Sequence, residues 1–166
     1  FAEGLTVLND KVYQITWQEG ICYIYDKDLN QLNKTGFRST NDQGWGLTND
    51  GKSLIVSDGS HKLTFLNPEN MAVEKVVSVY GGENEATYIN ELEYVDGYIY
   101  ANIYTTDQIA KIEASSGKII SVADMSALKA ENQDGEVLNG IAYLPNKKTF
   151  LVTGKYWKNM YEIQFD

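Results

Sequence analysis

Short runs in which apolar and polar residues alternate follow one another along the chain, separated by turns rich in Asn, Asp and Gly. A period of two sets successive side chains on opposite faces of a strand. The pattern predicts strands over residues 12–17, 21–25, 31–37, 53–57, 62–66 and 73–79. It continues over 92–95, 98–104, 108–113, 118–122, 141–144, 149–153 and 161–165. Turns fall at Asn9-Asp10, Asp96-Gly97, Ser116-Gly117 and Pro145-Asn146. The strongest hairpin signal is Asn49-Asp50-Gly51, because these residues accept the positive φ of a tight primed turn. Only residues 125–131 read as helical, for a turn or two, with Asp124 or Ser126 as N-cap.

One phrase recurs four times: Ala2-Glu3-Gly4-Leu5, Gly44-Trp45-Gly46-Leu47, Ile89-Asn90-Glu91-Leu92 and Leu138-Asn139-Gly140-Ile141. The anchors Leu5, Leu47, Leu92 and Ile141 stand 42, 45 and 49 residues apart. A period of about 40 to 50 residues filled with short strands is the signature of propeller blades. The expected fold is all-β, a β-propeller of roughly four-stranded antiparallel blades. Three blades are full, and the fourth stops one strand short. Residues 1–166 form a single domain. The chain opens inside its first repeat without a Met, which reads as a mature or truncated product lacking an N-terminal segment.

Composition narrows the function classes. Twelve Tyr and three Trp favour strands, and only two Pro with 43% hydrophobic residues argue for a packed core. A net charge of −9 repels phosphate backbones, so nucleic acid is not an expected partner. No stretch approaches 18 consecutive apolar residues, so none is expected to span a membrane. The one cysteine, Cys22, rules out an intrachain disulfide and reads as a buried strand residue. The sole histidine, His61, reads as an exposed turn residue, so a dyad of thiol and imidazole is not expected.

Antiparallel neighbours bring the start of each inner strand and the end of its second strand to one rim. The inner starts are Glu3, Trp45, Asn90 and Asn139; the second-strand ends are Trp17, Asp58, Tyr104 and Lys155. Taken singly, each has an ordinary use, as strand-end amide, inter-blade core or solvated charge. Together they occupy corresponding places in different repeats. That gathers polar groups against apolar walls, the usual form of a small-ligand site.

The same residues carry a family likeness. Phe1-Ala2-Glu3-Gly4-Leu5, residues 13–17 (YQITW), residues 44–48 (GWGLT), Ser57-Asp58-Gly59, residues 90–93 (NELE), residues 137–143 (VLNGIAY) and residues 153–163 (TGKYWKNMYEI) span the chain. On them the chain resembles the plant and bacterial glutaminyl cyclases, or glutamine cyclotransferases, a family of five-bladed propellers. It departs from that family at Tyr104, where Trp is usual, at Gln43, where Glu is usual, and at Lys158, where Pro is common. The resemblance implies conversion of N-terminal glutamine to pyroglutamate with release of ammonia. It makes Glu3 the proton shuttle and Lys155 the cation that polarises the amide oxygen. Asn90 and Asn139 would orient the substrate, and Phe1, Trp17, Trp45 and Tyr104 would enclose the glutamine stem. It further implies peptide or protein substrates with N-terminal Gln, a monomer, a secreted, periplasmic or cell-envelope setting, and no required metal or organic cofactor. A structural metal ion stays open. So does an N-terminal blade, which family members carry ahead of the residue matching Phe1.

Two other readings stay open at the level of sequence. Glu3, Asn90 and Asn139 could imitate the calcium ligands of a propeller lactonase or related hydrolase, although Lys155 on the same rim would repel the ion. An aromatic rim could also bind a peptide or glycan without turnover, since propellers host many functions.

Overall fold

The structure, a computed structural model, describes residues 1–165. The first blade is a meander of β1 (Ala2–Leu8), β2 (Lys11–Thr16), β3 (Ile21–Tyr25) and β4 (Gln31–Gly36). The second holds β5 (Leu47–Asn49), β6 (Leu54–Ser57), β7 (Lys62–Leu66) and β8 (Val73–Ser78). A small hairpin, β9 (Tyr80–Gly81) with β10 (Asn84–Glu85), was not foreseen from the pattern. The third blade comprises β11 (Ile89–Val95), β12 (Tyr98–Ile103), β13 (Gln108–Glu113) and β14 (Ile119–Asp124). Helix α1 (Ser126–Ala130) leads to the fourth, whose described strands are β15 (Leu138–Leu144), β16 (Thr149–Gly154) and β17 (Tyr161–Ile163). Every pairing within these sheets is antiparallel, and the four sheets stand as the blades of a β-propeller.

Alternation works here with both faces buried. On β6, Leu54 and Val56 pack toward the first blade with Tyr13 and Ile15, while Ile55 between them packs toward the third with Ile89 and Ile99. On β12, Ile99 and Ala101 face the second blade and Tyr100 faces the fourth, against Phe150 and Val152. Each fully buried Leu or Ile of this kind contributes roughly 1.5–3 kcal/mol. The repeat anchors Leu47, Leu92 and Ile141 are buried against the preceding blade. Leu5, on the first blade, is 55% exposed.

Turn chemistry departs from the expectation at one point. Asn9-Asp10 and Asp96-Gly97 are the two-residue primed turns, with positive φ at both positions. At Asn49-Asp50-Gly51 the loop is longer, because Asn49 pairs with Leu54 and only Gly51 has positive φ. The Asp50 carboxylate accepts the N–H groups of Lys52 and Ser53, and these bonds widen the turn. The N-cap of α1 is Met125, with no side-chain bond, while Asp124 one place earlier accepts the Ser126 N–H at 2.8 Å. Cys22 is wholly buried, and burial pushes its thiol up to about 11. His61 is not the exposed residue expected: it is 21% exposed and lies 3.1 Å from Glu85 of β10.

The inner strands share an irregularity that matters more. The register of β1, β11 and β15 against their neighbours shifts once, between Ala2 and Leu5, Ile89 and Leu92, and Leu138 and Ile141. Ahead of β5, Trp45 and Gly46 together face the single residue Ser57, which accepts the Trp45 N–H and donates to the Gly46 carbonyl. The recurrent phrase of the sequence is therefore a β-bulge at the start of each inner strand. Such bulges re-aim side chains and collect beside functional sites.

Candidate active site

The bulges and the ends of the second strands enclose a cavity of about 260 Å³. Phe1 and Glu3 reach it from the start of β1, Trp45 from just ahead of β5, and Asn90 from the start of β11. Trp17, Tyr104 and Lys155 come from just beyond β2, β12 and β16. Seven of the side chains singled out in the sequence thus line one space.

Two residues of the expected rim lie elsewhere. Asn139 does not line the cavity, and its Oδ1 is buried without a hydrogen-bond partner. Asp58 is fully buried beneath the rim. It accepts the Thr40 hydroxyl at 2.7 Å, the Asn41 N–H at 2.9 Å and the Ser60 N–H at 3.0 Å. Its carboxylate is spent tying the loop after β4 to the turn after β6, a structural duty.

The aromatic walls are held from several sides. Trp45 meets Tyr104 edge to face, with ring centroids 5.4 Å apart at 78°. The Trp45 ring also lies on Gly59, where a Cβ would come within 2.5 Å of the indole, so no larger residue fits beneath it. The indole N–H groups of Trp17 and Trp45 both donate to Oε1 of Gln43, at 2.7 and 2.9 Å. Lys155 sits with Nζ 5.3 Å from the Tyr104 centroid, a cation–π contact at the edge of range.

Charge is concentrated here. Burial pushes the Glu3 carboxyl above its ordinary 4.5, with Lys155 opposing the rise. Glu91, which repels Glu3 electrostatically, was not foreseen from the sequence. Burial, then repulsion from Glu3 and Glu93, pushes Glu91 up to about 7, against the pull of Lys155. Glu93, two residues on, is likewise pushed up to about 7 by burial, although the Tyr143 amide opposes it. A signal for Glu91 was present: the third place of the recurrent phrase is Gly4, Gly46 and Gly140 in the other three blades. There the inner strands crowd together. A Cβ on Gly46 would fall 2.1 Å from the Asn90 carbonyl oxygen, and that oxygen accepts the Ser57 hydroxyl at 2.7 Å. The third blade alone carries a carboxylate at this place. Asn90 itself is 4% exposed, and its Oδ1, like that of Asn139, has no partner.

Chemically the cavity offers a carboxylate of raised proton affinity, an ammonium, the Asn90 side chain and aromatic walls. The profile of the glutamine cyclotransferase family matches residues 1–165. The chain belongs to this family. It is 37% identical over 171 residues to a glutaminyl-peptide cyclotransferase of Arabidopsis thaliana, a match that takes in 99% of this chain and 52% of that protein. The chain therefore spans about half the length of the curated relative it matches. The crystal structure of the Myxococcus xanthus glutaminyl cyclase superposes with a TM-score of 0.93 at 34% identity, over 100% of this chain and 73% of that one. The computationally designed Ika4 protein, at 12% identity and a TM-score of 0.56 over 98% of this chain, shares the fold alone.

Proposed function

We propose that the cavity is the active site of a glutaminyl-peptide cyclotransferase. The observation that carries this reading is the meeting of Glu3 and Lys155 in one aromatic-walled space. A cavity of about 260 Å³ has room for one glutaminyl residue. The substrate is a peptide or protein with N-terminal Gln, its stem between Trp17, Trp45, Tyr104 and Phe1. Asn90, which lines the cavity, orients the substrate.

The reaction is an internal acyl transfer. Holding the α-amine against its own side-chain carbonyl supplies much of the rate, since oriented intramolecular attack needs no encounter. Glu3 takes a proton from the α-ammonium. The nitrogen then bonds to the amide carbon, and the carbonyl electron pair moves onto oxygen. Lys155 holds that oxyanion. As the C=O bond reforms, the C–N bond to the side-chain nitrogen breaks; Glu3 protonates that nitrogen so that ammonia leaves, then takes the second proton from the ring nitrogen, which leaves the lactam neutral, and passes it to water. A carboxyl raised by burial suits both halves of this shuttle. No step calls on a metal or organic cofactor, and a monomer suffices. Among the described residues no helix is long and apolar enough to cross a membrane. A secreted or cell-envelope setting follows from the family likeness.

Calcium coordination fits the cavity poorly, because among the described residues its lining offers carboxylate or amide oxygen from Glu3 and Asn90 alone, besides the Tyr104 phenol, and shares the space with the Lys155 ammonium. Ammonia release from a Gln-terminated dipeptide tests the proposal. Glu3→Gln and Lys155→Met should each lower kcat/KM by about 100-fold or more. Wild-type turnover by Glu3→Gln, or chelator-sensitive lactone hydrolysis in place of ammonia release, would end it.

A further inference from the structure

Gln43 is not among the residues that line the cavity, yet one of its oxygens accepts both indole N–H groups that do. An amide oxygen has two lone pairs, and here both are taken. The residue is itself clamped: its N–H donates to Ser39 Oγ at 3.1 Å, and its carbonyl accepts the same hydroxyl at 2.6 Å. The next residues of that loop, Thr40 and Asn41, donate to buried Asp58. From Gln43 contacts run unbroken through Trp45 and Tyr104 to the Lys155 ammonium.

We propose that Gln43 is a positioning residue whose carboxamide oxygen locks the two indole walls to each other and thereby sets the slot in which the reacting carboxamide lies. Without the shared acceptor each indole regains rotational freedom, and its N–H loses a partner while half withdrawn from water. Reacting groups displaced by about 1 Å forfeit up to roughly 100-fold in rate. The proposal rests on the cyclotransferase reading for its kinetic arm alone.

Gln43→Met keeps the length of the side chain and removes the acceptor; Gln43→Glu keeps an acceptor oxygen at the same reach. In the purified protein, Gln43→Met should lower kcat/KM for a Gln-dipeptide by about 10- to 100-fold, mostly in kcat. Tryptophan emission should shift to the red and become more open to acrylamide quenching. Two of the three tryptophans report on this change, since Trp157 bonds the Glu136 carbonyl at 3.0 Å. Gln43→Glu should restore both readouts to within about threefold of wild type, a rescue that a purely structural side chain would not require. If Gln43→Met does not fold, Gln43→Asn, which withdraws the oxygen by one methylene, is read in the same way. Wild-type kinetics and emission in Gln43→Met would overturn the proposal, as would a Glu variant no better than the Met one. If the wild-type protein releases no ammonia, the cyclotransferase reading falls. The emission arm then decides alone, and an unchanged spectrum overturns the anchoring role.

Discussion

Replacing Glu91 by Gln should make the protein more stable, and increasingly so as pH rises. Glu91 titrates at about 7 in place of 4.5, because burial and the neighbouring carboxylates disfavour its charge more than Lys155 favours it. Between those values the folded protein holds this proton more tightly than the unfolded chain does. Stability is therefore lost as pH climbs from about 4.5, and the loss is complete above about 7. At 1.36 kcal/mol per pH unit, the interval from 4.5 to about 7 comes to about 3 kcal/mol. Glutamine keeps the shape and carries no charge. The variant should match wild type near pH 4.5 and exceed it by up to about 3 kcal/mol near pH 8.5. For a chain of this size that is a rise in Tm of roughly 6–12 °C. Urea unfolding across that range measures the gap directly. A gap that does not change with pH, or a Gln variant weaker than wild type at the alkaline end, would show that Glu91 is not held as a half-buried, repelled carboxylate.

Two further outcomes follow from the same geometry. Because Glu3 must be ionised to accept a proton, kcat/KM should fall on the acid side with a midpoint above 4.5, and Lys155→Met should move any residual activity's midpoint higher by removing the opposing cation; a pH–rate profile of both proteins reads this. Gly46→Ala places a methyl 2.1 Å from the Asn90 carbonyl oxygen, so thermal melts should show a loss of about 1–3 kcal/mol, accompanied by reduced turnover as Asn90 shifts.

Much of the fold was legible because its two periods are local: alternation within strands and a phrase repeated once per blade. The cavity followed from topology, since Glu3, Trp17, Trp45, Asn90, Tyr104 and Lys155 occupy equivalent ends of successive sheets. What escaped depended on partners distant in the chain. Asp58 shares its topological place with Trp17 and Tyr104, but donors 17 and 18 residues upstream draw its carboxylate inward. Asn139 repeats the position of Asn90 without reaching the cavity. Gln43 drew notice only as a departure from the family pattern, because nothing local reveals that two indoles converge on one oxygen. The wide turn at 49–54 arose from a side chain competing with the backbone for its own N–H groups.

The extra residue at the head of each inner strand separates two obligations that most sequences must satisfy with the same side chains. Leu47 and Leu92 answer to the inter-blade packing, whereas the residues two places earlier, Trp45 and Asn90, sit outside regular pairing and answer to whatever occupies the mouth. A carboxylate, an indole and an amide therefore stand on equivalent backbone sockets at the mouth without disturbing the sheets that hold them. Chemistry can be exchanged at these sockets one blade at a time, with the architecture left as it was.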